Sequence, residues 1–306
     1  MIPAPVVVTS PHYQCDIGPH VFPVLKYALI LKRLLGEGVV SAAHVLEPER
    51  PRREDLALVH TAAYLDDLEQ LNHGPRTWPA ELPLTTGIVN AYVLAAGGTT
   101  LAARHALACG ATVHLGGGFH HAFADHAEGF CYVNDLAVAI RVLQREGSIR
   151  RAAVVDLDVH QGNGTAHIFD GDDSVFTLSI HQEHNYPTPK MRSDLDVGLA
   201  DGVSDAEYLD TLERALDAAW AAKPELVLYQ AGADPYRDDQ LGGLSLTVDG
   251  LESRDRLVLE GCALRGIASV VTLGGGYARH LEDTVEIHAR TARIAIELSL
   301  NKEART

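Results

Sequence analysis

Six short runs in this chain are almost wholly apolar and rich in β-branched residues, and stretches with helical apolar spacing lie between them. The runs cover 5–9, 112–115, 152–157, 175–180, 225–230 and 268–273. The helical patterns cover 23–36, 61–71, 87–109, 134–146, 205–222, 249–265 and 279–299. A strand wetted on one face alternates apolar and polar residues, whereas a strand apolar throughout must be covered on both. Alternating strands and helices therefore predict an α/β fold: a mostly parallel central sheet with helices on both faces. Ser204, followed by Asp205 and Glu207, supplies an N-cap and an acidic first turn to the helix at 205–222. The 306 residues contain no Pro/Ser/Gly-rich linker and no internal repeat, so one domain spanning 1–306 is expected.

In such sheets ligands bind beyond the carboxyl ends of the strands. Four of the apolar runs end in glycine-rich segments with polar side chains: Gly116-Gly117-Gly118-Phe119-His120-His121, Asp156-Leu157-Asp158-Val159-His160-Gln161-Gly162-Asn163-Gly164, Ala231-Gly232-Ala233-Asp234-Pro235 and Gly274-Gly275-Gly276-Tyr277. On a strand, positions two apart share a face, so Asp158 and His160 can reach one metal ion. Asp234, just past its own strand, is the natural third ligand. Adjacent His120 and His121 can act as base and acid if their pKa values are pushed apart. Asp156 can hold one imidazole and favour its cation, Asn163 can hold the other without adding charge, and Tyr277 can donate to a developing oxyanion. Singly, each has a plainer explanation: a surface histidine pair, tight glycine turns, an Asp capping the next helix. Together, four strand ends with complementary roles do not. The long segments 72–86 and 181–203 read as loops, of the length that often serves function.

The formal net charge of −16 argues against nucleic acid, which needs a basic face. It suits a cationic partner, although an acidic surface that maintains solubility explains it as well. No run of 18 apolar residues is present, so no membrane span is expected. The N-terminus lacks the basic and apolar regions of a signal peptide. The four cysteines, Cys15, Cys109, Cys131 and Cys262, form no CxxC pair, as expected of reduced thiols in a cytoplasmic protein.

From about Ser10 to the last helix the chain resembles the zinc-dependent histone deacetylases. Gly-Gly-Phe-His-His, Gly129-Phe130-Cys131-Tyr132-Val133-Asn134-Asp135, Asp-Leu-Asp-Val-His-Gln-Gly-Asn-Gly, Ala-Gly-Ala-Asp-Pro and Gly-Gly-Gly-Tyr occur in that family's order. Three further segments resemble its class IV branch and bacterial relatives: His20-Val21-Phe22-Pro23 before Lys26-Tyr27, Asn185-Tyr186-Pro187 after Ser179-Ile180-His181, and Asp239 to Leu244. The resemblance implies the arginase/deacetylase fold, with about eight strands. It implies one zinc ion on Asp158, His160 and Asp234, with Fe²⁺ chemically compatible. His121 becomes the main general base, Asp156 the partner of His120, and Tyr277 the group that polarises the acyl carbonyl. A protonated histidine, His121 or His120, delivers a proton to the departing amine. Gly129, Phe130 and Gly275 become substrate contacts. A potassium ion is implied at Asp156, Asp158, His160, Ser179 and Ile180, and a second around Phe169 and Val175.

Two departures refine this. Asn163 stands where many members have Asp, which lowers the pKa of His121 and makes it a readier neutral base. Gln161 stands where class I and II members have His; class IV shows both changes. The tunnel aromatic expected after Ser179 falls to Tyr186 or His184. Arginase-like enzymes hold two metals and need a second Asp where this chain has Tyr236. The implied reaction is hydrolysis of an acyl-lysine amide, including long acyl chains. The alternatives are a deacetylase of small amides such as acetylpolyamines and a non-enzymatic acyl-lysine reader. A reader needs neither Tyr277 nor the histidine pair. The sequence sets no oligomeric state.

Overall fold

The computed structural model describes residues 5–303. The ends of the expected 1–306 domain, including the first four residues of the segment read for a signal peptide, lie outside the described residues. Among the described residues eight strands form one sheet: β1 (Val7–Val8), β2 (Val45–Leu46), β3 (Ala111–His114), β4 (Ala152–Asp156), β5 (Val175–Gln182), β6 (Leu195–Leu199), β7 (Leu226–Gln230) and β8 (Ala268–Thr272). Their order is β2-β1-β3-β8-β7-β4-β5-β6, and every pairing is parallel. The helices are α1 (Lys26–Gly36), α2 (Arg53–Leu56), α3 (Ala62–Gln70), α4 (Thr86–Cys109), α5 (Asp135–Arg145), α6 (Asn163–Phe169), α7 (Asp205–Ala221), α8 (Val248–Leu264) and α9 (Leu281–Glu303).

The continuous apolar strands are buried on both faces, as their composition requires. Val154, Leu226, Leu228 and Val270 pack with Leu136, Ile140 and Leu143 of α5 and Ala102, Ala103 and Ala106 of α4. Their neighbours Val155, Val227, Tyr229 and Val271 pack into the core shared with α7, α8 and α9. Adjacent residues on a strand thus serve opposite layers. Helix α4 begins where Thr85 Oγ1 accepts from the Ile88 amide and ends at Gly110, whose φ of +95° suits glycine. Ser204 is the N-cap of α7, but its side chain makes no capping hydrogen bond.

Four elements escape the sequence pattern. β2 has two residues and α2 four, too few for any periodicity to show. β6 lies inside the segment read as the loop 181–203. It is an edge strand of alternating exposure, and its pairing with β5, not its composition, defines it. α6 starts inside the glycine-rich segment that follows β4, where no helical pattern was read. A Cβ on Gly164 would meet Ala122 O at 2.3 Å, so this glycine permits a close approach between the helix and the histidine loop.

The pairing of β3, β8, β7, β4 and β5 ends in a polar row. His114, Thr272, Gln230, Asp156 and Ser179 are successive partners across β3, β8, β7, β4 and β5, and all are buried. Beyond this row the four glycine-rich segments leave neighbouring strands. Gln230 Nε2 donates to Gly118 O at 2.7 Å, and Thr272 Oγ1 donates to Gln230 Oε1 at 2.8 Å. Asp135 accepts the amides of Gly118 (3.0 Å) and Phe119 (2.8 Å). Gly118 has φ +83°, and a Cβ there would lie 2.1 Å from Gln230 Oε1. Gly118→Ala is therefore expected to destabilise the fold by at least about 2 kcal/mol, read as a lower urea midpoint; an unchanged midpoint contradicts this account of the loop.

Candidate active site

Strand β4 stops at Asp156, so strand alternation does not bring Asp158 and His160 together, contrary to what their spacing suggested. The chain bends after Leu157. Asp158 Oδ1 accepts the His160 amide at 3.0 Å, and His160 Nδ1 lies 3.0 Å from the same oxygen. Asp234 follows β7; its Oδ1 accepts the Val159 amide at 2.9 Å. Its Oδ2 is buried without a hydrogen-bond partner, 3.3 Å from His160 Nδ1. The ligand atoms of the three buried side chains lie within 4.8 Å of one another.

This arrangement suits a cation. Burial first, then the nearby Asp158 charge, raises the pKa of Asp234: two carboxylates so close resist joint ionisation unless positive charge lies between them. Glycines leave the space. A Cβ on Gly275 would fall 2.0 Å from Asp234 Oδ2, and one on Gly232 would fall 2.5 Å from Asp158 Oδ2. Gly275, read as a substrate contact, here walls the carboxylates, its amide donating to Asp158 Oδ2 at 2.8 Å. One imidazole and two carboxylates are a ligand set that zinc accepts while keeping a position open. No other such cluster of three or more occurs among the described residues. Tyr236, at the position where a second metal would need an Asp, places its hydroxyl 3.5 Å from Asp283.

His120 and His121 stand beside this cluster with ring centroids 4.0 Å apart. His120 Nδ1 lies 2.6 Å from Asp156 Oδ2, and His121 Nδ1 lies 2.7 Å from Asn163 Oδ1. Burial disfavours the His120 cation, but Asp156 and Asp158 overcome it and raise the pKa to about 9. Burial also lowers the His121 pKa, the charges of His120 and His160 lower it further, and the neutral Asn163 does not restore it. The two imidazoles are thus pushed in opposite directions, as the Asp156 and Asn163 partners suggested.

The walls come from three further segments. Gly129 and Phe130 both have positive φ, +49° and +63°. They are pinned by hydrogen bonds to Pro79 O and Ala80 O, 3.0 Å each, so the segment 72–86 braces the wall. A Cβ on Gly129 would meet His121 Cδ2 at 2.6 Å. Tyr186 stands edge-on to His121 at 5.0 Å, whereas His184 is exposed; Tyr186 is the aromatic at the site. Gln161 clamps the segment after β5, its amide donating to Met191 O (2.7 Å) and Asp196 (2.8 Å). Tyr277 is buried with its ring 6.4 Å from His160 and 6.3 Å from Phe130. Ser179 lies beside Asp156 across β4 and β5, followed by buried Ile180; its hydroxyl is 2.9 Å from His181 Nδ1.

Three supporting residues carry no signature that assigns their role from sequence. Asp239 accepts the amides of Tyr277 (2.6 Å), Leu241 (2.8 Å) and Gly242 (3.0 Å), and so ties down the tyrosine loop. Lys26, fully buried, donates to Gly274 O at 2.5 Å beneath the same loop. Glu128 accepts from Asn163 Nδ2 at 2.6 Å and from the Tyr186 hydroxyl at 2.9 Å. Each is an ordinary charged residue until the fold brings its partners together.

A parallel α/β sheet that carries a buried Asp–His–Asp cluster and a polarised histidine pair at its strand ends has the layout of a metal-dependent hydrolase. The family model for the histone deacetylase domain matches residues 20–292. An uncharacterized protein of Picosynechococcus sp. is 43% identical over 292 residues, covering 94% of this chain and 97% of that protein. Histone deacetylase 2 of Arabidopsis thaliana is 31% identical over 290 residues, covering 90% and 75%. The crystal structure of the HDA15 HD domain superposes with a TM-score of 0.80 at 24% identity, covering 100% of this chain and 93% of that one. The chain belongs to the histone deacetylase family and is a metal-dependent hydrolase acting on amides. No helix among the described residues is long and apolar enough to cross a membrane. Because a Cβ on Gly275 intrudes between the two carboxylates, Gly275→Ala is expected to weaken zinc binding about tenfold or more while the protein remains folded. Unchanged affinity in a chelator competition contradicts the placement of the site.

Proposed function

We propose that this protein hydrolyses the amide of an acyl-lysine side chain, with zinc held by Asp158, His160 and Asp234. The observation that carries this reading is the histidine pair: two buried rings 4.0 Å apart, one beside a carboxylate and one beside an amide, next to a cation-ready cluster. When bound, zinc supplies Lewis acidity that polarises the acyl carbonyl and acidifies water. His121, neutral, takes the proton from the attacking water. His120 keeps its proton through its contact with Asp156 and holds positive charge beside the reacting atoms; it or the newly protonated His121 returns a proton to the amine. The Tyr277 hydroxyl donates to the oxyanion. Phe130 and Tyr186 flank the lysine stem, and the Gly129 carbonyl, which already accepts the Cys131 thiol at 3.2 Å, offers its second lone pair to the substrate amide. Asp156, Ser179 and the carbonyls of Asp158, His160 and Ile180 would hold a potassium ion, whose charge would stiffen the floor of the site. Gln161 and Asn163 support kinship with class IV, and the four scattered cysteines support a cytoplasmic setting.

Tyr277→Phe is expected to lower kcat about a hundred- to a thousandfold with the metal retained; full activity contradicts its role as oxyanion donor. The pH profile of kcat/KM follows from the two shifts. Activity needs neutral His121, so the acid limb lies below the ordinary histidine range; it needs protonated His120, so the basic limb lies near about 9. Asn163→Asp adds a charge beside His121 and is expected to move the acid limb upward; an unmoved limb assigns that limb to another group. Acetyl-, octanoyl- and myristoyl-lysine peptides, run against acetylputrescine and acetylspermidine, test the substrate class. Higher kcat/KM on the peptides supports the reading, and turnover of the polyamines alone replaces it with a small-amide deacetylase.

A further inference from the structure

Glu128 belongs to no metal ligand set, yet it touches two groups that face the proposed base. Its Oε1 accepts from Asn163 Nδ2 at 2.6 Å and from the Tyr186 hydroxyl at 2.9 Å. Its Oε2 lies 3.5 Å from His126 Nε2. Its backbone is fixed by paired hydrogen bonds with Cys131, 3.1 and 2.8 Å, immediately before the wall residue Gly129. Burial disfavours its charge, but His126, Tyr186 and Asn163 outweigh that and hold its pKa below the usual glutamate value, so it stays an acceptor.

An ionised carboxylate accepts and never donates, whereas an asparagine amide has one accepting and one donating end. Facing Glu128, Asn163 must present its NH₂ group; reversed, two oxygens would confront each other at hydrogen-bond distance. Its Oδ1 is then committed to His121 Nδ1, 2.7 Å away. An oxygen there requires a proton on Nδ1, which leaves the lone pair of the neutral ring on Nε2. An aspartate in place of Asn163 would accept in either orientation and would need no such lock. We infer that Glu128 is a positioning residue: through Asn163 it selects the His121 tautomer whose Nε2 is free to take a proton, and through Tyr186 it ties the tunnel wall to the same carboxylate. This rests on the reading of His121 as the base.

The test is Glu128→Gln, which keeps size and shape but can offer either an oxygen or an NH₂ group, so Asn163 is free to reverse. In two-bond ¹H–¹⁵N spectra of the zinc-loaded protein, His121 is expected to show bare Nε2 in the wild type and both tautomers in the variant. On the best acyl-lysine peptide, kcat should fall about two- to tenfold with KM nearly unchanged. In an Asn163→Asp background, where Glu128 faces a second carboxylate, the same Glu128→Gln change should instead raise kcat. Wild-type tautomer signals in the variant, or the same sign of effect in both backgrounds, overturns the inference. If the tautomers mix as expected but the wild type cleaves no acyl-amine, the positioning stands and the proposed function falls.

Discussion

Two carboxylates and an imidazole with ligand atoms within 4.8 Å, buried from water, are the constraint around which the rest of this structure is arranged. A charge cluster in such a place is stable only when paired. Asp158 uses protein amides at both oxygens, from His160 and Gly275. Asp234 uses only one, from Val159, and leaves the other oxygen without a hydrogen bond. The glycines at 232 and 275 keep side chains out of the gap, and Arg254, fully buried, donates to the carbonyls of Leu157 and Gly232 on the chain leading into each carboxylate.

The sheet makes the cluster possible by bringing four strand ends level. The polar row from His114 to Ser179 marks where the pairing of β3, β8, β7, β4 and β5 stops, and each glycine-rich segment begins just past it. The same geometry sets the histidines apart electrically. His120 reaches back to Asp156 in the row, whereas His121 reaches across to Asn163 on the first turn of α6. Burial disfavours both cations; the carboxylates of Asp156 and Asp158 overcome it at His120, whereas neutral Asn163 does not at His121, so the two rings shift in opposite directions.

Much of this was legible in the sequence because it was written in residue types that have few other uses. Continuous Val/Ile/Leu runs declared a two-sided parallel sheet, and the glycine-rich segments carrying His120, His121, Asp158, His160 and Asp234 declared a gathering of polar side chains at the strand ends. What the sequence hid was of two kinds. β6 and α6 have unremarkable composition, and their tertiary partners define them: β5 for the edge strand, and the carbonyls of His121 and Ala122 for the close approach of Gly164. Lys26 and Asp239 stood in segments that carried the resemblance, but their roles, like that of Glu128, were hidden because an acid or lysine looks the same in a sequence whether it ends in solvent or beneath the Tyr277 loop. The convergence of Asp158 and His160 was read correctly for the wrong reason, since the bend after Leu157, not strand alternation, brings them together.

We infer that one divalent ion held by the Asp158–His160–Asp234 cluster compensates its buried charge. This is tested most directly by stripping the protein with a chelator and titrating zinc back calorimetrically while following thermal unfolding. One high-affinity ion per chain and a rise in Tm on saturation are expected, with both lost in an Asp158→Asn/Asp234→Asn double variant that remains folded. A double variant that binds zinc with unchanged stoichiometry and affinity would contradict it.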